Sequence, residues 1–282
     1  MKRPVLCLLI LCALAPSRAH AQASSIPSAQ PTQPSGTDEQ RGRAILNEMV
    51  DALGGPAWRE RHDMQAAGRT ASFFHNQPNG TIIEFDYWRR YPNYGQTDAE
   101  RYGFLTDKSM IFPGKKIDVV QIWTRANGYE VTFKGRTELP KDQVEDYERR
   151  KAHSVDAIIN TWLKTPGVMV LSEGTSMVMR RIADKVTVLS PNNDAVTLEI
   201  DASTHLPLRR TFQWRNVTFK DYDEDVEEYD DYHTVDGLPT AYTLTRYHNG
   251  DMVNQRFYTK VHYNLGIPND MFDPDHVIVK KK

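Results

Sequence analysis

The sequence is nearly without cysteine. Only Cys7 and Cys12 occur among 282 residues, too few for a disulfide scaffold. It has no excess of positive charge either: 35 Lys and Arg stand against 37 Asp and Glu, a net charge of −2. The basic footprint of a nucleic-acid binder is therefore missing. No apolar run approaches the ~20 residues of a membrane-spanning helix. Mean hydropathy is −0.60 and 26% of residues are charged, which excludes a polytopic membrane protein. Catalytic signatures are lacking too: there is no G-x-S-x-G, H-E-x-x-H, G-x-x-x-x-G-K or G-x-G-x-x-G. No catalytic residue, metal ligand or cofactor is assigned, and the chain reads as non-enzymatic.

What the sequence does have begins with an address. Lys2 and Arg3 precede an apolar run from Val5 to Ala15, followed by the small-x-small site Ala19-His20-Ala21. Residues 1–21 are expected to be a cleaved signal peptide, with Gln22 starting the mature protein in the periplasm. A retained anchor needs a longer run, and a lipoprotein signal at Cys12 needs a small residue where Leu11 stands. Both cysteines leave with the leader, which excludes a cysteine nucleophile or a cysteine-based zinc site and suits an oxidising compartment. Residues 22–36, rich in Ser, Pro, Gln and Ala, read as a flexible linker.

Residues 37–282 read as one β-rich domain. Thr37 and Gln40 form a capping box, and Ala44, Ile45, Met49, Val50 and Leu53 recur at helical spacing until Gly54-Gly55. From Asp63 the period becomes two. Asn79-Gly80, Asn127-Gly128 and Asn249-Gly250 mark three hairpins. Two-residue turns there would set Phe74 opposite Phe85, Ile122 opposite Phe133, and Tyr242 opposite Phe257. One long amphipathic helix is expected over 141–164, its stripe carrying Val144, Tyr147, Val155, Ile158, Ile159 and Trp162. No βαβ alternation occurs, so the sheet should be antiparallel. About ten or eleven strands in one run should curl or close.

A curled sheet leaves a concavity that a helix must plug or a ligand must fill. The apolar faces of the hairpins nominate its lining: Ile83, Phe85, Tyr87, Val120, Ile122, Val131, Phe133, Tyr242, Leu244, Phe257 and Val261, with Met177 and Met179 as an adaptable patch. The competing reading of this stripe is plain core. Ile158, Ile159 and Trp162 are expected to lay a lid upon it.

Other features are read as structural. His75 is expected to face Glu84 on the surface. His233, His248 and His262 have the look of a metal cluster, but the hairpin arithmetic puts His248 in the turn and His262 more than about ten residues down the partner strand, so they cannot converge. Asp221, Asp223 and Asp225 open like a calcium loop, yet Val226 and Tyr232 stand where that loop needs Gly and Glu. The acidic run 221–231 therefore reads as a solvated or edge strand whose charges block further pairing, with a cation site or a docking patch as alternatives.

Several segments resemble a known family. They are Ala52-Leu53-Gly54-Gly55 closing the first helix, Asp201-Ala202-Ser203-Thr204-His205-Leu206-Pro207-Leu208-Arg209, Asp236-Gly237-Leu238-Pro239-Thr240, and the run from Tyr263 to Pro274 (YNLGIPNDMFDP). Together, over most of residues 37–276, they resemble the outer-membrane lipoprotein-sorting proteins of the LolA/LolB-like superfamily. The resemblance implies a half-open, strongly curved antiparallel barrel with covering helices. It also implies a monomeric periplasmic carrier or binding protein for lipidated proteins or other acyl chains, moving them towards the outer membrane between membrane-bound donor and acceptor proteins. The alternative is a non-catalytic envelope sensor or interaction protein that uses the same concavity.

Overall fold

The computed structural model describes residues 37–80, 82–93, 95–106, 116–125 and 127–280. The leader and linker expected over 1–36 lie outside these residues. The described chain opens with α1 (Asp38–Ala52) and the single turn α2 (Pro56–Arg59). The Thr37 hydroxyl accepts from Gln40 N and the Gln40 side chain accepts from Thr37 N, closing the capping box.

The strands are β1 (Asp63–Phe74), β2 (Gln77–Pro78), β3 (Ile83–Arg90), β4 (Ala99–Thr106), β5 (Lys116–Thr124), β6 (Asn127–Thr132) and β7 (Gly135–Glu138), then β8 (Met169–Val178), β9 (Arg181–Leu189), β10 (Ala195–Asp201), β11 (Pro207–Arg215), β12 (Tyr222–Val235), β13 (Leu238–His248) and β14 (Asp251–Tyr263). They form a 14-stranded antiparallel sheet in the order β7-β6-β5-β4-β3-β1-β14-β13-β12-β11-β10-β9-β8, with β2 paired to β1. The sheet is open, with β7 and β8 as its edges. The chain crosses between these edges through α3 (Lys141–Ala152), α4 (Val155–Asn160) and a short 3₁₀ turn at Trp162–Lys164.

Curvature is visible in one contact. Strands β14 and β4 are separated by β1 and β3, about 14 Å along a flat sheet. Yet Arg256 on β14 donates from Nη1 to the Tyr102 hydroxyl on β4 at 3.0 Å. The sheet wraps far enough for one arginine to reach across its concave side.

Three expected registers shift. The chain turns at His75 and Asn76, both at positive φ, so Phe74 pairs with Gln77 and Phe85 lies opposite Gly68. His75 consequently meets Asp251 rather than Glu84, and Glu84 pairs with Arg69. At the second hairpin Asn127 and Gly128 are strand residues, and Ile122 lies opposite Tyr129. Gly128 is needed for room: a Cβ there would sit 3.0 Å from the Trp123 ring and from Leu139. The third hairpin turns at Asn249-Gly250 as expected, with His248 opposite Asp251. An extra residue at Val253 then displaces the ladder, so Phe257 lies opposite Thr243.

The expected single helix over 141–164 is broken at His153-Ser154. Ser154 Oγ donates to Lys151 O and accepts from Ala157 N, ending α3 and starting α4 within two residues. The acidic run is also corrected. From Tyr222 on it lies in β12, an interior strand between β11 and β13, and three of its carboxylates, Asp225, Glu227 and Glu228, are matched by arginines on nearby strands.

The segments that carry the family resemblance are turn-building. Buried Asp63 accepts from the backbone N–H groups of Leu265, Gly266 and Ile267. Asp201 accepts from Ser203 N and Thr204 N and pairs with Arg181. Asp236 accepts from Tyr263 N.

Candidate functional site

The concave face has two unlike halves. Over β8–β10 it is filled. Val170, Val186, Val188, Val196, Leu198 and Ile200 have no exposed surface, and they pack in one cluster with Leu46 and Met49 of α1 and Ile158 and Ile159 of α4. Over β12–β14, β1 and β3–β5 it is open. There a cavity of about 1250 Å³ lies between the sheet and the helices.

The floor of this chamber is aromatic. Tyr102 lies 4.7 Å from Tyr87 and 6.0 Å from both Phe85 and Phe104, ring centroid to centroid, and Tyr258 lies 6.0 Å from Phe85. Burial raises the phenol pKa of Tyr87 and Tyr102 and pushes Tyr258 up to about 12. All three are neutral hydrogen-bonding groups at physiological pH. Ile83, Leu105, Val119, Leu244 and Val253 supply aliphatic lining.

Two charged clusters border the chamber. In the first, Asp156 at the start of α4 accepts from Arg61 at 2.6 Å and from Arg89 at 2.9 Å. Lys151 at the end of α3 reaches Asp98 at 2.8 Å and Glu100 at 2.7 Å, and Arg89 also pairs with Asp98. Arg61 lies over the Trp58 and Tyr91 rings. Three cations meet three carboxylates, and no side-chain nitrogen or oxygen of the six is both buried and without a partner. Burial pushes the Glu100 and Asp156 carboxyls up. Lys151 and Arg89 for the first, and Arg61 and Arg89 for the second, outweigh this and hold both below the usual range. The cluster ties the helices to β3 and β4. The stack of Tyr147 on Trp123 at 4.6 Å adds a tie to β5.

The second cluster is richer in arginine. Arg210, Glu227 and Arg246 are register partners across β11, β12 and β13. Fully buried Asp225 accepts from Arg210 Nη2 at 2.9 Å and Arg246 Nε at 2.6 Å. Glu227 accepts from Arg256 at 3.0 Å and from the Tyr229 hydroxyl at 2.9 Å. Asp146 on α3 accepts from Arg150 at 3.1 Å and Arg246 at 3.3 Å. Burial opposes the charge on Arg210, but Tyr229, Glu227 and Asp225 outweigh it and keep the guanidinium protonated.

The residues nominated from sequence divide sharply. Ile83, Phe85, Tyr87 and Leu244 line the chamber. Val120, Ile122 and Val131 cluster instead with Ile117, Val277 and Val279, while Val119, Gln121 and Trp123 of β5 face the chamber. The more apolar face of this hairpin is the one that the C-terminal segment covers. Phe133 lies in the β6–β7 turn, half exposed. Met177 is 73% exposed, and Met179 sits at positive φ in the β8–β9 turn, against Val178, Ala183 and Leu208. Tyr242 lies against His233, ring centroids 4.3 Å apart and planes tilted by 51°, outside the lining. The bulge at Val253 puts Arg256 and Tyr258 on the chamber side and leaves Phe257 on the other face, 37% exposed. A second irregularity, opposite Ala67/Gly68, returns Val261 to the concave side, where it joins the core rather than the cavity. A Cβ at Gly68 would collide with the Phe257 carbonyl, so this bulge requires glycine. Of the nominated lid, Ile158 and Ile159 are core residues, and partly buried Trp162 donates its indole N–H to Ala152 O at 3.0 Å.

The charged lining went unrecognised in the sequence. Its signal was the acidic run itself: Asp225 and Glu227, two apart on one face of a strand, require cations on the strands beside them. Among the described residues no three His, Cys, Asp or Glu side chains converge as metal ligands do.

No protein-family model matches the sequence, and a search of curated proteins finds no match. Solved structures do share the fold. A DUF1329 family protein from Desulfovibrio piger superposes with a TM-score of 0.56 at 10% identity, covering 85% of this chain and 99% of that one. An outer membrane lipoprotein-sorting protein domain from Vibrio parahaemolyticus gives 0.52 at 10% identity, covering 84% and 98%. A LolA superfamily protein from Nitrosomonas europaea gives 0.46 at 12% identity, covering 84% and 99%. This chain thus shares the fold of the DUF1329 protein and of the lipoprotein-sorting domain: one strongly curved, open antiparallel sheet with covering helices.

Proposed function

We propose that this chain is a non-catalytic binding protein of the bacterial envelope that shelters acyl-chain cargo in the open half of its concave face. The observation that carries this reading is the cavity of about 1250 Å³, floored by aromatic rings and bordered by aliphatic side chains. An acyl chain entering it leaves water at a gain of about 0.8 kcal/mol per buried methylene. The fold shared with a lipoprotein-sorting domain supports the reading. With residues 1–21 as a cleaved leader, the protein acts in the periplasm, where a reversible carrier can pass lipidated cargo towards the outer membrane.

The movable cover is α3, hinged at His153-Ser154, while Ile158 and Ile159 anchor α4. Opening breaks the Lys151 ion pairs and the Tyr147–Trp123 stack. Displacement of a fluorescent fatty acid from the mature protein tests the proposal. Saturable binding, lost when Phe104→Asp places a carboxylate in the chamber, is the expected result. Absence of binding by the folded wild-type protein defeats it.

The interaction-protein reading has one observation of its own. Phe74, Ile82, Val217 and Phe219 stand exposed at or beside hairpin turns at one end of the sheet. A protein partner captured from envelope extract by lipid-free protein, and lost with Phe219→Ser, would favour it.

A further inference from the structure

The two charged clusters differ in a way that bears on which cargo fits. In the first, three cations and three carboxylates satisfy one another. In the second, three carboxylates (Asp146, Asp225, Glu227) are shared by four guanidinium groups (Arg150, Arg210, Arg246, Arg256), and Asp146 is also reached by Arg149 at 3.7 Å. All four arginines line the chamber, but of the carboxylates only Glu227 does. Asp225 and Asp146 hold their arginines from behind. Among the described residues the cluster is therefore left with at least one more cation than carboxylate, and those four arginines are presented to the cavity.

Arg210 marks the deficit at atomic level. Its side chain is 2% exposed, and its Nε and Nη1 have no hydrogen-bond partner. A guanidinium offers five N–H donors and cannot shed its proton. Buried donors of this kind normally have an acceptor, and an unmet charged donor is among the costlier defects in a fold. Arg246 and Arg256, each with about a fifth of its side chain exposed, stand beside it with surface free to meet a ligand. Leu244 and Val253, adjacent on the same strands, begin the apolar lining.

We infer that Arg246 and Arg256, backed by Arg210 and overhung by Arg150, form a receptor for the anionic headgroup, carboxylate or phosphate, of a single-headed amphiphile whose chain lies along the aromatic floor. The inference rests on the acyl-carrier reading and narrows it: neutral lipids of equal chain length bind poorly. Arginine suits this task because its planar fork meets two oxygens of a carboxylate or phosphate at once.

Calorimetric titration of the mature protein with dodecanoate, dodecyl phosphate, dodecanol within its solubility, and inorganic phosphate tests it. The acid and the phosphate ester should bind at least about tenfold more tightly than the alcohol, the margin of one charge-assisted contact. Arg256→Gln should erase that margin by weakening the acid and the phosphate ester more than the alcohol. Arg256 is more exposed than Arg210, and Glu227 keeps Arg210 and Tyr229 as partners when it is removed. Should the variant not fold, the wild-type margin alone decides. Equal binding of acid and alcohol overturns the headgroup site and leaves the carrier reading standing. Inorganic phosphate binding as tightly as dodecyl phosphate also overturns it, in favour of a free-anion site. No binding by any of the four defeats the carrier reading and this inference with it.

Discussion

One concave face supports two opposite solutions. Over β8–β10 the inward positions are mostly Val, Leu and Ile, and α1 and α4 close them into a dry core. Over β12–β14, β1 and β3–β5 the inward positions are Tyr, Phe, Arg and Glu, and the space above them stays open. The difference lies in side-chain chemistry rather than in backbone architecture, because the same antiparallel ladder runs through both halves. Aliphatic side chains on a curved sheet can be satisfied by a helix. Guanidinium and phenol groups cannot be buried beneath an apolar helix without large desolvation costs, and the space over them is left open.

That contrast can be broken most severely at the tie between helices and sheet. Asp156→Asn removes the carboxylate shared by Arg61 and Arg89, leaving two largely buried cations short of a partner. It should cost about 3–5 kcal/mol, as loss of one member of a buried pair does, and it should speed release of bound fatty acid. Urea denaturation and stopped-flow release measure the two effects.

Leu198→Ala in the filled half should cost about 2–5 kcal/mol and leave ligand affinity unchanged. A matching loss of affinity would show that the two halves are not independent.

Acid should act on the open half. The folded-state carboxyls of Glu100, Asp156 and Glu227 lie below their ordinary values, because arginine and lysine partners outweigh burial. Groups depressed in this way bind protons more readily when unfolded. Their contribution is complete above about pH 5 and drains away as the pH falls through and below about 4. Melting temperature should therefore be steady from neutrality to about pH 5 and drop below it. A melting temperature unchanged at pH 3 would contradict this.

Smaller effects follow at Gly128 and Trp162. Gly128→Ala presses on the Trp123 ring and should cost about 1–3 kcal/mol by overpacking, with a shift in tryptophan emission. Trp162→Ala should fall below the ~3–5 kcal/mol of a fully buried tryptophan, because the ring is only partly covered.

How much of this was legible depended on whether the signal was local. The capping box at Thr37 and Gln40 and the turn at Asn249-Gly250 are fixed by residues within one turn of each other, and both were readable. So was the antiparallel, curled character of the sheet. The facing of Phe257 was not, because one extra residue at Val253 reverses the alternation beyond it. Gly128 misled for a related reason: it serves the Trp123 ring rather than a turn. Ser154 was readable as an N-cap and would have split the long helix. The chamber itself was expected to be wholly apolar. Its arginines escaped notice because a charged residue at an inward position makes sense only once its partner on the next strand is known, as Arg210 does beside Glu227.

The open half of the concave face is proposed to be a chamber for an acyl amphiphile. Native mass spectrometry of the mature protein, purified from the envelope without detergent, tests it most directly. The expected spectrum holds a bound species of acyl-chain mass that is retained in the folded protein, released on unfolding, and absent from a Phe104→Asp variant. A spectrum showing the bare polypeptide alone, even after incubation with excess dodecyl phosphate, would contradict it.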